Sequence, residues 1–147
     1  MRIQEVLVGL LAILTTFGLP QTSHQSEATI YASIIGVWRA EMDGLPSITL
    51  TITNETGNLS GAILFYLHRR DEGQRWTSMP GIPEPLFNPK FDGKILTFEV
   101  SHRRAHPPRT LLDPPVHFRM TLTGPDKAEL VNENEGRGSG FPIVRDE

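Results

Sequence analysis

The sequence predicts an all-β fold: an antiparallel up-and-down meander of seven or eight strands closing into a small barrel, preceded by an apolar N-terminal helix. Three observations predict it. Five segments between residues 34 and 123 carry strand-length apolar runs or period-2 alternation. The 12 prolines and 13 glycines crowd the second half of the chain, which suits short strands joined by turns. No convincing helical period follows residue 27, and no internal repeat stands out.

The elements can be justified in order. Residues 6–14 (VLVGLLAIL) follow Arg2 and form an unbroken apolar run, the length of a signal-peptide core and too short for a comfortable membrane span. The expected organisation is a signal peptide over residues 1–26, a linker over 27–33 and a barrel domain over 34–147. The barrel portion is near the small end for a domain and can bury one modest core. In residues 34–42 (IIGVWRAEM), Ile34, Trp38 and Met42 share one phase. Residues 47–53 (SITLTIT) set Ile48, Leu50 and Ile52 inward and Thr49, Thr51 and Thr53 outward. Residues 59–68 are apolar on both phases, so cover on both faces is expected near the middle. Residues 94–102 set Leu96, Phe98 and Val100 against Thr97, Glu99 and Ser101. Residues 116–123 set Val116, Phe118, Met120 and Leu122 against His117, Arg119 and Thr121. Residues 128–133 and 141–145 are shorter and weaker.

The connections carry the topology. Asp92-Gly93 predicts a two-residue type I′ hairpin and therefore a strand before Lys94, over roughly residues 85–91. Pro85 and Pro89 cannot donate to a ladder, which makes that strand an edge or a poorly paired one. Asn54–Asn58 and Gly124–Lys127 are tight turns. Counting directions from Ile34 upward, the tight turns at 54, 92 and 124 fall at the bottom. The connections 43–46, 69–84, 103–113 and 134–140, three of them long, fall at the top. The count also makes the first and last strands antiparallel, so that they can pair and close the sheet.

Gly36-Val37-Trp38 on the first strand of such a meander resembles the lipocalin and fatty-acid-binding-protein superfamily, the calycin-like barrels. The resemblance implies that Trp38 plugs the closed end and that a late arginine packs on it. Arg145 is the candidate, and the count independently places it on the strand beside Trp38. A guanidinium over an indole is favourable by roughly 0.5–2 kcal/mol. The layout also resembles small exported bacterial proteins of unknown function, which implies a secreted or periplasmic location.

Composition and motifs exclude more than they assign. With no cysteine there is no disulfide, thiolate metal site or cysteine nucleophile. A net charge of −3 and the lack of a continuous basic stripe argue against nucleic acid. His102 and His106 have a helical metal-ligand spacing, but Pro107 and Pro108 oppose a helix, so no metal or cofactor is expected. Ser78, Ser101 and Ser139 lack a nucleophile elbow, and no enzyme is expected. The unusual feature is a repeated His-Arg-Arg, His68-Arg69-Arg70 and His102-Arg103-Arg104, placed by the count at the top rim. With Tyr66, Trp76 and Phe87 these cations point to binding of a small apolar or anionic ligand, arginine supplying bidentate geometry. The contrasting reading is a solvated rim, balanced by Asp71, Glu72 and Asp113. Two functions follow: an exported small-ligand binding module open at the long-loop end, or a structural or interaction protein whose barrel is filled by its own side chains. Neither involves stable membrane insertion once the signal is removed.

Overall fold

The computed structural model describes residues 29–101, 114–136 and 140–146. The expected signal segment therefore lies outside the described residues, as do His102, Arg103 and Arg104. The described residues form an all-β antiparallel meander of ten strands in one curled half-barrel. They are β1 (Gly36–Met42), β2 (Leu45–Glu55), β3 (Asn58–Arg69), β4 (Thr77–Pro80), β5 (Glu84–Pro85), β6 (Phe87–Phe91), β7 (Ile95–Val100), β8 (Val116–Gly124), β9 (Lys127–Asn132) and β10 (Gly140–Arg145). The sheet order is β4-β3-β2-β1-β10-β9-β8-β7-β6, with β5 also on β3. Among the described residues the helical pieces are a turn at 29–32 and a three-residue 3-10 segment, Glu133–Glu135.

Ten strands replace the expected seven or eight because one run is longer than its pattern implies and is broken by proline. Residues 77–91 descend beside β3, where Tyr66 faces Pro80, Ile63 faces Glu84 and Ala62 faces Pro85. The run then pairs with β7, Phe91 facing Leu96 and Phe87 facing Glu99. It thus touches both ends of the sheet. Pro80, Pro83, Pro85 and Pro89 lack the N–H that a continuous ladder needs, so the run divides into β4, β5 and β6. At Asn88-Pro89 the register slips into a bulge, with Asn88 at φ 49°. The expected loop 69–84 shrinks to residues 70–76.

Turn chemistry is distributed differently from the expectation. Asp43-Gly44 (φ 55° and 75°) and Thr56-Gly57 (φ 52° and 89°) are the connections with positive φ at both central residues. They join the paired residues Met42/Leu45 and Glu55/Asn58. This is the type I′ pattern, whose twist matches that of the flanking strands. At the predicted Asp92-Gly93 turn the central residues are Gly93 and Lys94, and only Gly93 has positive φ. Asp92 instead closes the turn with its side chain, Oδ1 accepting from the N–H groups of Lys94 (2.9 Å) and Ile95 (2.7 Å). Those two bonds hold its carboxyl below the ordinary aspartate range.

β1 and β10 pair, Trp38 facing Arg145 and Arg39 facing Val144. The ladder stops there for a covalent reason. In the same register Glu41 would face Pro142, which has no N–H; beside it the β1–β2 register shifts between Ala40 and Glu41, where β2 carries the extra residue Ser47. Ala40 is buried with Trp38, while Met42, expected on the core side, is exposed at the end of β1, beside the Asp43-Gly44 turn.

The core is a single cluster drawn from β1, β2, β3, β7, β8, β9 and β10, joined by Ile34 and Leu86. Ile48, Leu50, Ile52, Phe98 and Met120 are buried in it as their alternation predicts, and Leu122 packs against it half-buried. Phe65 on β3 meets Phe118 on β8 with ring centroids 5.8 Å apart, and Phe118 stacks on Phe98 at 5.5 Å. β3 and β8 stand five places apart in the sheet order. Only strong curling brings their side chains together, and at that level the interior is filled by rings.

Candidate functional site: the two ends of the sheet

The lower end is knit shut. Residues 29–32, assigned to a linker on sequence, make a helical turn that delivers Ile34 into the core with no exposed surface. The indole N–H of Trp38, also fully buried, donates to the Ile34 carbonyl at 2.8 Å. This satisfies the one polar atom of a ring that is otherwise apolar core. The Arg145 guanidinium lies 4.8 Å from the centroid of the Trp38 ring. Its Nη2 donates to the Ser33 carbonyl, its backbone N–H donates to the Asp126 carbonyl at 3.0 Å, and Nε sits 3.5 Å from Asp126 Oδ1, an ion-pair contact outside hydrogen-bond geometry. Gly36 completes the plug. It holds φ at +133°, where side chains strain, and a Cβ there would stand 3.7 Å from the Arg145 stem. On the outer face Arg39 pairs with Asp146 at 2.7 Å. Gly36, Trp38 and Arg145 are thus brought together, and they brace the fold.

The upper end is built differently. The β2–β3 ladder ends at Ile48/Phe65, so the last turn of β3 rises with β4 as its neighbour. The Pro46 carbonyl would otherwise lose its partner here. It accepts from Ser78 Oγ at 2.6 Å and bonds His68 Nε2 at 2.8 Å. Tyr66 OH lies 3.4 Å from Thr49 Oγ1 on the same outer face. His68 and Tyr66 are therefore positioned by β2 and β4 and only half-exposed.

The arginines of the first His-Arg-Arg are held by their own loop. Arg69 Nε pairs with Asp71 Oδ1 at 2.9 Å, and Arg70 Nε donates to the Gln74 carbonyl at 3.2 Å. Trp76 is exposed at the end of the loop, just before β4. Phe87 lies lower, on the run facing β7, and is exposed there. Among the described sequence candidates, His68, Arg69, Arg70 and Trp76 gather at the β3–β4 hairpin, with Tyr66 at its base and Phe87 apart from it.

The sequence reading missed Leu67 and Met79, both exposed at this same hairpin, and Ile82, exposed in the link between β4 and β5. A signal was available. Leu67 shares the phase of Ile63 and Phe65, but in the β2–β3 register it would face Pro46, two residues beyond the last rung at Ile48/Phe65. Core-phase residues beyond the last rung have nothing to pack against.

A second polar feature lies on the outer face of β6, β7 and β8, a groove of about 200 Å3 lined by Asn88, Lys90, Thr97, Glu99, His117 and Glu133. Its groups answer one another: Asn88 Nδ2 donates to Glu99 at 3.4 Å, His117 Nδ1 is 3.9 Å from Glu99, and Arg119 pairs with Glu133 at 2.9 Å. Such mutually satisfied, solvated pairs contribute little. Among the described residues no group of three or more His, Cys, Asp or Glu could hold a metal, and no helix is long and apolar enough to cross a membrane.

Comparison of the chain with known protein families, with curated proteins and with solved structures finds no match. The reading of the site therefore stands on its geometry.

Proposed function

We propose that this chain is an exported binding module, a small lipocalin-like barrel that works by recognition rather than catalysis and recognises its partner at the long-loop rim. Closure of the curl into a barrel is part of the proposal. It is supported by the 77–91 run, which pairs with β3 above and β7 below, and by the Trp38–Arg145 contact across β1 and β10.

The observation that carries the proposal is the Phe65–Phe118 contact across the interior. Rings from strands five places apart fill the space a small ligand would need at that level, so the recognising groups are those left outside it: Tyr66, His68, Arg69, Arg70 and Trp76. The second His-Arg-Arg, His102-Arg103-Arg104, belongs to the connection between Val100 and Val116, which leaves the sheet at the same end. The ligand class is an anionic or amphipathic species, since Arg69 and Arg70 can present guanidinium N–H groups to an acidic head.

Two measurements test this. Native mass spectrometry of the exported protein should return the mass of the chain alone; a small molecule released only on unfolding would overturn the filled interior. A soluble anionic amphiphile should raise the melting temperature by mass action. The Arg69→Gln, Arg70→Gln double variant should lose that increase while keeping its own melting temperature. An equal increase in the double variant would overturn the rim.

A further inference from the structure

The hairpin formed by β3 and β4 combines three features that the barrel's stability does not require. It overhangs: Leu67/Met79 and Arg69/Thr77 are paired with each other above the last β2–β3 rung. It is apolar where it overhangs: Leu67 is 68% exposed, Trp76 54% and Met79 52%. Leu67 and Met79 are paired directly across the two strands and so share a face, and Trp76 closes the loop beside them, which leaves three large apolar side chains uncovered at one tip. Finally, it is basic on an acidic chain. Residues 67–82 carry three arginines (Arg69, Arg70, Arg75) against two carboxylates (Asp71, Glu72), while the whole chain has a net charge of −3.

A strand from another protein is a poor fit to this surface. The Gly81 N–H bonds the Phe65 carbonyl. Counting back from that bond, Met79 and Thr77 also turn their backbone groups toward β3, which leaves Ser78 and Pro80 on the free edge. Pro80 has no N–H, so the edge offers a broken row of donors and is blunted against strand addition. What remains attractive is the side chains: a tryptophan, a leucine and a methionine at a projecting tip, on a hairpin whose loop carries three arginines. That combination suits the boundary between lipid headgroups and acyl chains, where tryptophan settles and arginine meets anionic headgroups.

We propose that the β3–β4 hairpin is a peripheral docking tip for an anionic lipid bilayer, with Leu67, Trp76 and Met79 entering the headgroup boundary and Arg69, Arg70 and Arg75 contacting lipid phosphates. The inference rests on the rim being the recognising end and names its partner. It requires no membrane span: a few apolar side chains plus electrostatic attraction give reversible association.

The two tryptophans make the test local. Trp38 is fully buried, so a change in emission on adding vesicles reports Trp76. A local readout is necessary because the apolar residues 6–14 of the full chain can themselves carry it to a bilayer. With vesicles of equal parts phosphatidylglycerol and phosphatidylcholine, Trp76 emission should shift to the blue and be quenched by brominated acyl chains. Trp76→Phe should abolish both changes. Leu67→Ser with Met79→Ser should weaken the Trp76 response about tenfold or more, from the lost burial of two apolar side chains. Arg69→Gln, Arg70→Gln and Arg75→Gln should weaken it roughly fivefold each on anionic vesicles. These exposed substitutions should leave the melting temperature unchanged, which separates lost docking from lost folding.

An unshifted, unquenched Trp76 on anionic vesicles overturns the inference, and so does an equal response to pure phosphatidylcholine. If a soluble anionic amphiphile raises the melting temperature while vesicles leave Trp76 unchanged, the bilayer is overturned as the partner and rim recognition stands. If neither acts, both readings fall.

Discussion

The lower and upper ends of the curled sheet use the same residue types to opposite effect. Each presents a tryptophan and at least one arginine. Below, Trp38 is fully buried, its N–H is bonded to the Ile34 carbonyl, and Arg145 covers its face while reaching Ser33 and Asp126. Above, Trp76 is exposed, and the nearby Arg69 and Arg70 are bonded within their own loop. The difference lies in what surrounds the aromatic ring. A strand pair and a helical turn enclose Trp38, whereas Trp76 ends the loop of a hairpin that has outrun its neighbour. Composition alone does not separate bracing from recognition; the number of sides from which a side chain is packed does.

The sharpest way to break this contrast is to truncate residues at each end in turn. Trp38→Ala should destabilise the fold by about 3–5 kcal/mol, through the cavity, the lost indole bond and the uncovered Arg145. The combined Leu67→Ser, Trp76→Ser, Met79→Ser variant should stay within about 0.5 kcal/mol of the parent. Urea unfolding of both variants reads the two numbers on one scale, and comparable losses would dissolve the distinction.

A smaller effect isolates the guanidinium. Arg145→Met keeps an unbranched stem beside Gly36 and removes the charge above Trp38. It should destabilise by about 0.5–2 kcal/mol, with most of that loss retained in high salt, because the contact is partly buried and poorly screened. A loss that vanishes in salt would assign the effect to the exposed Asp126 pair instead.

The smallest expected effect concerns the tight turn at Asp92. Its carboxyl is held below the ordinary aspartate range, first by the Ile95 N–H and then by the Lys94 N–H. A group with a lowered folded-state pKa contributes stability that is present above the unfolded value and lost as pH falls through the folded one. Asp92→Asn keeps an acceptor oxygen and cannot titrate. The parent should therefore lose its advantage over the variant only in that acidic window, seen as melting curves that converge as pH drops. A constant gap across the window would exclude the carboxylate as its source.

Much of the fold was legible because it follows from local rules. Alternation over residues 47–53 and 94–100 sets the faces of β2 and β7, and the direction count places Trp38 beside Arg145 with no knowledge of distances. The division of 77–91 was half-legible. Pro85 and Pro89 marked the run as poorly paired, but its extension up to Thr77 depends on β3 being long enough to receive it.

Other features required the tertiary structure. The true type I′ turns fell at Asp43-Gly44 and Thr56-Gly57, because turn type depends on the register of the paired strands as well as on the dipeptide. Phe65 looked like any inward residue of β3; that it crosses to Phe118 is a property of how far the sheet curls. Leu67 has the phase of a core residue and the exposure of a surface one, since burial depends on a neighbour whose pairing stops at Ile48. The sequence by itself determined strand identity, face and direction, because those are periodicities of two and turns of a few residues. Only the tertiary structure decided what fills the interior and which apolar side chains are left uncovered, because both depend on strand ends and curvature, where residues distant in sequence either meet or miss.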